Sequence, residues 1–434
     1  MRLIYRYPEQ REALAQRFQF HDKLFNRETL QAVWSIFDQI SGKRDEAVRE
    51  LTKQHDQVDI KQLVLSDDYV EQCVALLSPS LRKAIEQAII HVQEVNEVML
   101  PKSWETQIRP GTVVGEKVCP LQSVGIWIPA RKGPLLSTAI MLVTAAKVAG
   151  VSQVIVGMPP LPDGLGDPGT VAAARLAGAD QFVVGNGIAV IAGFTQGTES
   201  IPEVDGIFGP GPGGIAASMS IAMTFGKKSV VGIGPTECMI LADESADPRW
   251  IAYDLINEAE HGPDSASLLV TSSSQLASEV EQYLQELIAE AEMNRQANLL
   301  KVFGPEGKGA IVVVPDILTA CHYINDIAPE HLMVVCRPET EEQVISLVHQ
   351  AGEILLGGYT PFSAANYGIG ITAVLPTNTF AKAYSGITVK DMVKYSTIGR
   401  LTEEALREIY PIIQELGSYE QLPGHLRAAA VRLD

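Results

Sequence analysis

The chain lacks any long apolar run. No stretch reaches the roughly 18 residues of a membrane-spanning helix, and Met1 to Phe18 has no signal-peptide core, so a cytoplasmic location is expected. Cysteine is scarce and scattered: Cys73, Cys119, Cys238, Cys321 and Cys336 form no CxxC pair, which argues against a zinc-thiolate or disulfide framework and predicts reduced, mostly buried thiols. Basic residues are in deficit, 34 Lys plus Arg against 52 Asp plus Glu. The resulting charge of -18 speaks against non-specific binding to nucleic acid or an anionic membrane. No short-period repeat or low-complexity tract is present, which sets solenoids aside. What is there is an ordinary globular composition, 46% hydrophobic and 20% charged, over 434 residues. That length suits about two to four domains and a cleft between them.

The first hundred residues read as helices, with polar-apolar patterns such as Leu30 to Phe37 and Leu77 to Val98. From about Val124 short Val/Ile runs alternate with Ala-rich helical stretches. Strands are expected at residues 123–128, 153–157, 181–185, 204–208 and 229–233, with helices at 137–149, 169–177, 188–197 and 213–224 between them. The alternation resumes after a helix at 248–260: strands at 267–270, 310–314, 331–335 and 353–356, helices at 274–298, 317–325 and 341–351. This rhythm predicts an α/β chain with two Rossmann-like, helix-covered parallel sheets facing a shared cleft. The last fifty residues return to charged amphipathic helix and read as a C-terminal appendage.

Three local constellations stand out. Asp247-Pro248 is a good helix start, and at that helix's end Glu258 and His261 lie three apart on one face. Both can reach one divalent metal, although a helix-terminal His beside Glu also serves the helix dipole. Ala328-Pro-Glu-His-Leu332 puts adjacent Glu330 and His331 at the edge of a buried strand, where α/β enzymes place reacting groups; a simple strand-entry ion pair is the alternative. Gly209-Pro-Gly-Pro-Gly-Gly214 follows a strand and opens a helix, a setting for phosphate. It is not the dinucleotide fingerprint, since Pro212 has no amide and no acidic ribose anchor follows, and a plain tight turn fits equally.

Taken in order, these stretches and several others resemble the histidinol dehydrogenase family. The carrying residues are Gly234-Pro-Thr-Glu237, Ala242 to Pro248, Glu258-Ala-Glu-His-Gly-Pro-Asp-Ser265, Ala328 to Leu332, Val374-Leu-Pro-Thr377, Ser385 to Asp391 with Lys394, and Glu420-Gln-Leu-Pro-Gly-His425. The resemblance implies a domain-swapped homodimer of two incomplete Rossmann-like domains. Residues 1–24 would form a helical arm, 25–126 with 235–381 the domain carrying metal and catalytic residues, 127–234 the NAD side, and 382–434 a tail completing the partner's site. It further implies one zinc per site and two rounds of NAD reduction, taking an amino alcohol through an aldehyde to a carboxylate. Glu330 would activate water and His331 would act as general base. Zinc ligands would fall at Glu258, His261, Asn366 and His425, and substrate contacts at Ser137, Thr236, Phe362, Ala373 and Glu420. The NAD contacts would be Trp127, Ile188 and Pro212.

The chain departs from the family pattern in informative places. Glu258 replaces a Gln and Asn366 an Asp; these reciprocal changes preserve the charge around a divalent ion, which favours a retained metal. Phe362 replaces an acid and Ala373 a His, removing polar partners for an imidazole-bearing substrate. Trp127, Ile188 and Pro212 replace Tyr, Gln and Asn; Trp127 can still stack on a ring, whereas the other two lose hydrogen bonds. Arg131 and Lys132 add cations that could meet a phosphate or an anionic substrate, a solvated loop being the commoner use of such a pair. The leading expectation is a zinc- and NAD-dependent alcohol dehydrogenase, acting on L-histidinol or a related small alcohol. A paralogue for a sulfonated diol and a non-catalytic metal-binding dimer are the alternatives.

Overall fold

The computed structural model describes residues 3–18, 26–129, 133–230, 232, 234 and 236–433, the side chain of Asn294 excepted. Strand β1 (Ile4–Arg6) and helix α1 (Arg11–Phe18) precede four helices, α2 (Arg27–Lys43), α3 (Asp45–Asp56), α4 (Asp67–Ala75) and α5 (Pro79–Met99). The hairpin β2 (Trp104–Arg109) and β3 (Thr112–Pro120) follows. A strict alternation comes next: β4 (Ser123–Trp127), α6 (Leu136–Ala149), β5 (Gln153–Met158), α7 (Pro168–Leu176), β6 (Gln181–Val184), α8 (Gly187–Gln196), β7 (Gly206–Phe208), α9 (Gly213–Thr224) and β8 (Lys228–Ser229). The second alternation runs β9 (Glu237–Ala242), α10 (Pro248–Ala259), β10 (Ala266–Thr271), α11 (Ser274–Glu290), α12 (Met293–Val302), β11 (Lys308–Val313), α13 (Ile317–Ile327), β12 (His331–Val335), α14 (Pro338–Leu347), β13 (Glu353–Leu356) and α15 (Phe362–Tyr367). Strand β14 (Val393–Leu401) and helices α16 (Glu403–Tyr419) and α17 (Pro423–Ala430) end the chain.

Two parallel sheets organise these elements. One has the order β6-β5-β4-β7-β8, and the other β1-β11-β10-β9-β12-β13. Their central strands β4, β9, β10 and β12 are covered on each face and are buried almost throughout. In β9 alternate residues enter opposite cores: Cys238, Ile240 and Ala242 join Ile251, Leu255 and Leu269, while Met239 and Leu241 join Leu268 and Leu332. Helix α6 is apolar nearly all round, with buried residues from Thr138 to Ala149, because it is sandwiched between the five-stranded sheet and α5. Helix α10 starts as its sequence predicts, Asp247 accepting a hydrogen bond from the Arg249 amide at 2.8 Å with Pro248 at the first position.

An α/β architecture with parallel sheets is therefore observed, with four differences in detail. The described part of the N-terminal arm is not wholly helical, since β1 extends the six-stranded sheet in register with β11, Ile4 opposite Ile311. The expected C-terminal helix is preceded by β14, which pairs antiparallel with β3 in a third sheet, β14-β3-β2. Every residue of β2 and most of β14 are exposed, so neither carries the apolar alternation that marks a strand in sequence. The single helix expected over 274–298 is two, broken where Ala291 takes an extended backbone. Strand β8 is only Lys228–Ser229, and Val231, Ile233, Arg131 and Lys132 lie outside the described residues. All five cysteines are free thiols, and no helix among the described residues is long and apolar enough to cross a membrane.

Candidate functional site

In a parallel sheet each connecting helix runs back against the strands, so helix ends and strand beginnings gather at one edge. In the six-stranded sheet that amino edge collects Thr236 and Glu237 before and at the start of β9, Glu258 and His261 at the end of α10, Glu330 and His331 at the start of β12, and Glu353 at the start of β13. Glu330 and His331 thus stand at the entry to the buried strand, as their place before Leu332 to Val335 predicts, and that entry is the amino edge of the sheet.

The turn that delivers them is unusual. Helix α13 ends at Ala328 in the left-handed region, φ 53°, fully buried, and Pro329 then stiffens the entry to β12. The adjoining backbone is tied to the next strand, with the Gly352 amide donating to Pro329 O at 2.9 Å and the Glu353 amide to Glu330 O at 3.0 Å. His331 and Glu353 are direct neighbours across the β12–β13 pair. Their side chains meet at 2.5 Å between Nδ1 and Oε1, both nearly buried. On the other side of the ring Nε2 lies 3.5 Å from Glu330 Oε1. Glu330 Oε2 accepts from the Glu237 amide at 2.9 Å, and Glu237 Oε1 accepts from the Asn378 amide at 2.9 Å.

The electrostatics follow from this burial. Removal from water pushes the Glu330 carboxyl up to about 8 and that of Glu237 up to about 7. Burial alone would depress His331, but the carboxylates around it, Glu330 foremost and then Glu353, more than offset that and carry it to about 10. Glu330 and His331 thus titrate as one coupled pair. The Phe362 ring, fully buried, packs edge-on against the imidazole with centroids 5.8 Å apart. Sequence reasoning finds Glu330 and His331 but passes over Glu353. The available signal is an acid opening an otherwise apolar strand, Glu353-Ile-Leu-Leu356.

The second pair stands on the same edge. Glu258 is buried; its Oε1 accepts from Asn257 at 2.8 Å, while Oε2 makes no hydrogen bond and lies 3.5 Å from His261 Nε2. An orphaned buried carboxylate oxygen beside an imidazole is a donor set that fits a divalent cation. Helix α15 packs on α10 and places Asn366 one turn beyond Phe362, where it lines a cavity with residues of α5 and the start of α6. His425 and Glu420, which the resemblance assigns to the partner's site, are exposed on the tail of this chain, and no group of three His, Cys, Asp or Glu gathers among the described residues.

The remaining residues belong to the five-stranded sheet and its seam with the other. Strand order reverses between β4 and β7, and the crevice at such a switch point is the usual dinucleotide position in an open α/β sheet. Trp127 ends β4 there, but its indole is turned inward: it is 3% exposed, its Nε1 has no partner, and a methyl on Gly187 would sit 2.7 Å from it. This corrects the expectation of a ring free to stack on a ligand. Ile188, half-buried, packs on Gly214, and exposed Pro212 caps α9 without a side-chain bond. A dinucleotide would therefore rest on the Gly209–Gly214 turn and the start of α9 rather than on polar side chains. Thr236 is half-buried, its carbonyl accepting from the Ala266 amide at 2.9 Å, and Ala373 packs on the core beside α5 and α6. Ser137, near the start of α6, shares a cavity of about 370 Å³ with Asn366.

A family model described as histidinol dehydrogenase matches residues 21–433. A histidinol dehydrogenase of Methanothermobacter thermautotrophicus is 34% identical, covering 94% of each chain. A protein of Colwellia psychrerythraea described as a histidinol dehydrogenase homolog is 33% identical over 97% of this chain and 94% of its own. Among solved structures, a histidinol dehydrogenase from Elizabethkingia anophelis superposes with a TM-score of 0.92 at 28% identity, covering 100% of this chain and 98% of that one.

Proposed function

The chain belongs to the histidinol dehydrogenase family, an oxidoreductase family, and from that premise we propose that it oxidises a small amino or hydroxy alcohol through the aldehyde to the carboxylate. The observation that carries this reading is the buried Glu330–His331–Glu353 array, in which one imidazole is held between two carboxyl groups. Glu353 on Nδ1 fixes the ring so that Nε2 faces Glu330 and the substrate. At neutral pH the Glu330–His331 pair is loaded with protons; above about pH 8 it has lost one and can accept the alcohol's proton. In the second half-reaction Glu330 orients and deprotonates the water that adds to the aldehyde. Phe362 keeps bulk water off the imidazole, which protects the charge differences on which the pair depends.

Zinc and NAD are the cofactors this reading requires. Glu258, His261 and Asn366 would hold the metal, with His425 of a second copy of the chain as fourth ligand and Glu420 beside it; bound zinc would anchor and polarise the substrate. NAD, seated at the β4–β7 crevice, would accept hydride in each half-reaction. Domain-swapped dimerisation accounts for the exposure of Glu420 and His425 in the single chain. The deciding experiment is NADH formation by zinc-loaded protein with L-histidinol and a panel of small alcohols. Turnover that is lost on chelation, and aldehyde-to-acid oxidation that fails in Glu330→Gln while alcohol oxidation persists, is the expected result. Absence of NADH with every alcohol would overturn the reading.

A further inference from the structure

The cavity shared by Asn366 and Ser137 lies where the two sheets meet. Ser137 stands at the start of α6, on the carboxyl edge of the five-stranded sheet, and Asn366 at the end of α15, which follows the last strand of the other. Its volume, about 370 Å³, falls in the range of small-molecule sites, ~300–1,000 Å³. The wall is largely apolar, with Leu81, Ile85, Leu136, Ile140, Met141 and Ile371 among its residues. Ser137, Asn366 and Tyr367, the last largely exposed, are its residues with polar side chains, and no Asp, Glu, Lys, Arg or His lines it among the described residues.

The wall is also fixed in place. Gly370 takes φ 85° with its α-carbon against the His91 carbonyl of α5, so close that a Cβ would collide with backbone. His91 Nδ1 lies 2.6 Å from Gly368 O, a second tie between α5 and the same segment. The cavity is thus a built feature of the seam. Its residue Asn366 follows Phe362 by one helical turn on α15, and the Phe362 ring packs edge-on against His331. A polar or cationic group placed there would find one hydroxyl, one amide and a phenol, and burial without partners costs it affinity. An alkyl or aryl group would meet apolar surface over most of the lining.

Resting on the dehydrogenase reading above, we infer that the substrate is an alcohol whose side chain is apolar, an alkyl or aryl group occupying this cavity while its hydroxyl-bearing carbon sits at His331. The polar pair Ser137 and Asn366 marks the boundary between the tail's pocket and the reacting end.

The experiment compares leucinol and phenylalaninol with histidinol on the zinc-loaded protein, by NADH formation and by thermal shift. The expected result is a kcat/KM for one of the apolar amino alcohols at least about tenfold above that for histidinol, in line with what a few matched carbons are worth in a hydrophobic pocket. Ala88→Phe, which fills the cavity from α5, should raise KM for that alcohol about tenfold, while circular dichroism checks the fold. A preference for histidinol would overturn the inference and leave the dehydrogenase reading standing. Binding of phenylalaninol that Ala88→Phe abolishes, without NADH from any alcohol, would support the cavity and overturn the dehydrogenase reading. No binding of either apolar alcohol would overturn the inference outright.

Discussion

His331 has a carboxyl group on each side, and each can be tested by itself. Glu353→Ala should lower kcat by about 10²-fold or more if the ring loses its orientation, the size general-base catalysis commonly has. Glu353→Gln, which keeps an oxygen for Nδ1 but no charge, should recover part of the rate and move the alkaline pH dependence downward. Equal loss in both variants would point to a packing role. For the pair, the sign is set by two raised values: Glu330 from 4.5 to about 8 and His331 from 6.5 to about 10. The folded protein therefore binds protons that the unfolded chain has released, so this site's stabilisation falls as pH climbs from about 4.5 to 10. Melting temperature should decline with pH more steeply in the wild type than in Glu330→Gln, while wild-type turnover rises through pH 8. Glu330 and His331 are legible in the sequence because an acid and an imidazole side by side before a buried strand are conspicuous. Glu353 is not, since its role exists only through the parallel register that sets it against His331.

Elements rather than single side chains decide the dinucleotide crevice and the seam. Ile188 opens α8 and Pro212 caps α9, and neither offers a hydrogen bond to a ligand. Ile188→Gln should tighten NAD binding by about tenfold, as a restored hydrogen bond of ~1 to 1.5 kcal/mol would; calorimetric titration gives the answer, and unchanged affinity would move the cofactor off α8. Gly370→Ala adds a Cβ to a left-handed residue pressed on α5 and should cost on the order of 1–3 kcal/mol, visible as a lower melting temperature. The alternation of strands and helices, and the start of α10 at Asp247-Pro248, can be read from sequence because covered parallel sheets need continuous apolar strands. Strands β2 and β14 escape such reading, being exposed and held by each other's neighbour β3 rather than by a core. The inward turn of Trp127 is equally hidden, because it depends on the absence of a side chain at Gly187, sixty residues along the chain.

At the scale of the whole molecule, the proposed metal ligands lie on different parts of the chain, Glu258 and His261 at the end of α10 and His425 on α17. If a second copy supplies His425, inactive His261→Ala and His425→Ala proteins should complement each other after unfolding and refolding together. Random pairing would restore about a quarter of the sites, read as bound zinc and activity, because each mixed dimer regains one intact site. No recovery on mixing would place both ligands in one chain. The same separation in sequence governs a step that precedes any chemistry. Strand β3 ends at Pro120, but β14, which covers it, begins only at Val393. During synthesis, then, β3 waits with an unpaired edge until nearly the entire chain has left the ribosome, an invitation to mispairing that ends only when β14 arrives. A stop codon or a stalled ribosome between Leu356 and Val393 would release a polypeptide with both parallel sheets encoded and that edge still open. Such fragments should be cleared by proteases or collect in aggregates rather than persist as half-enzymes.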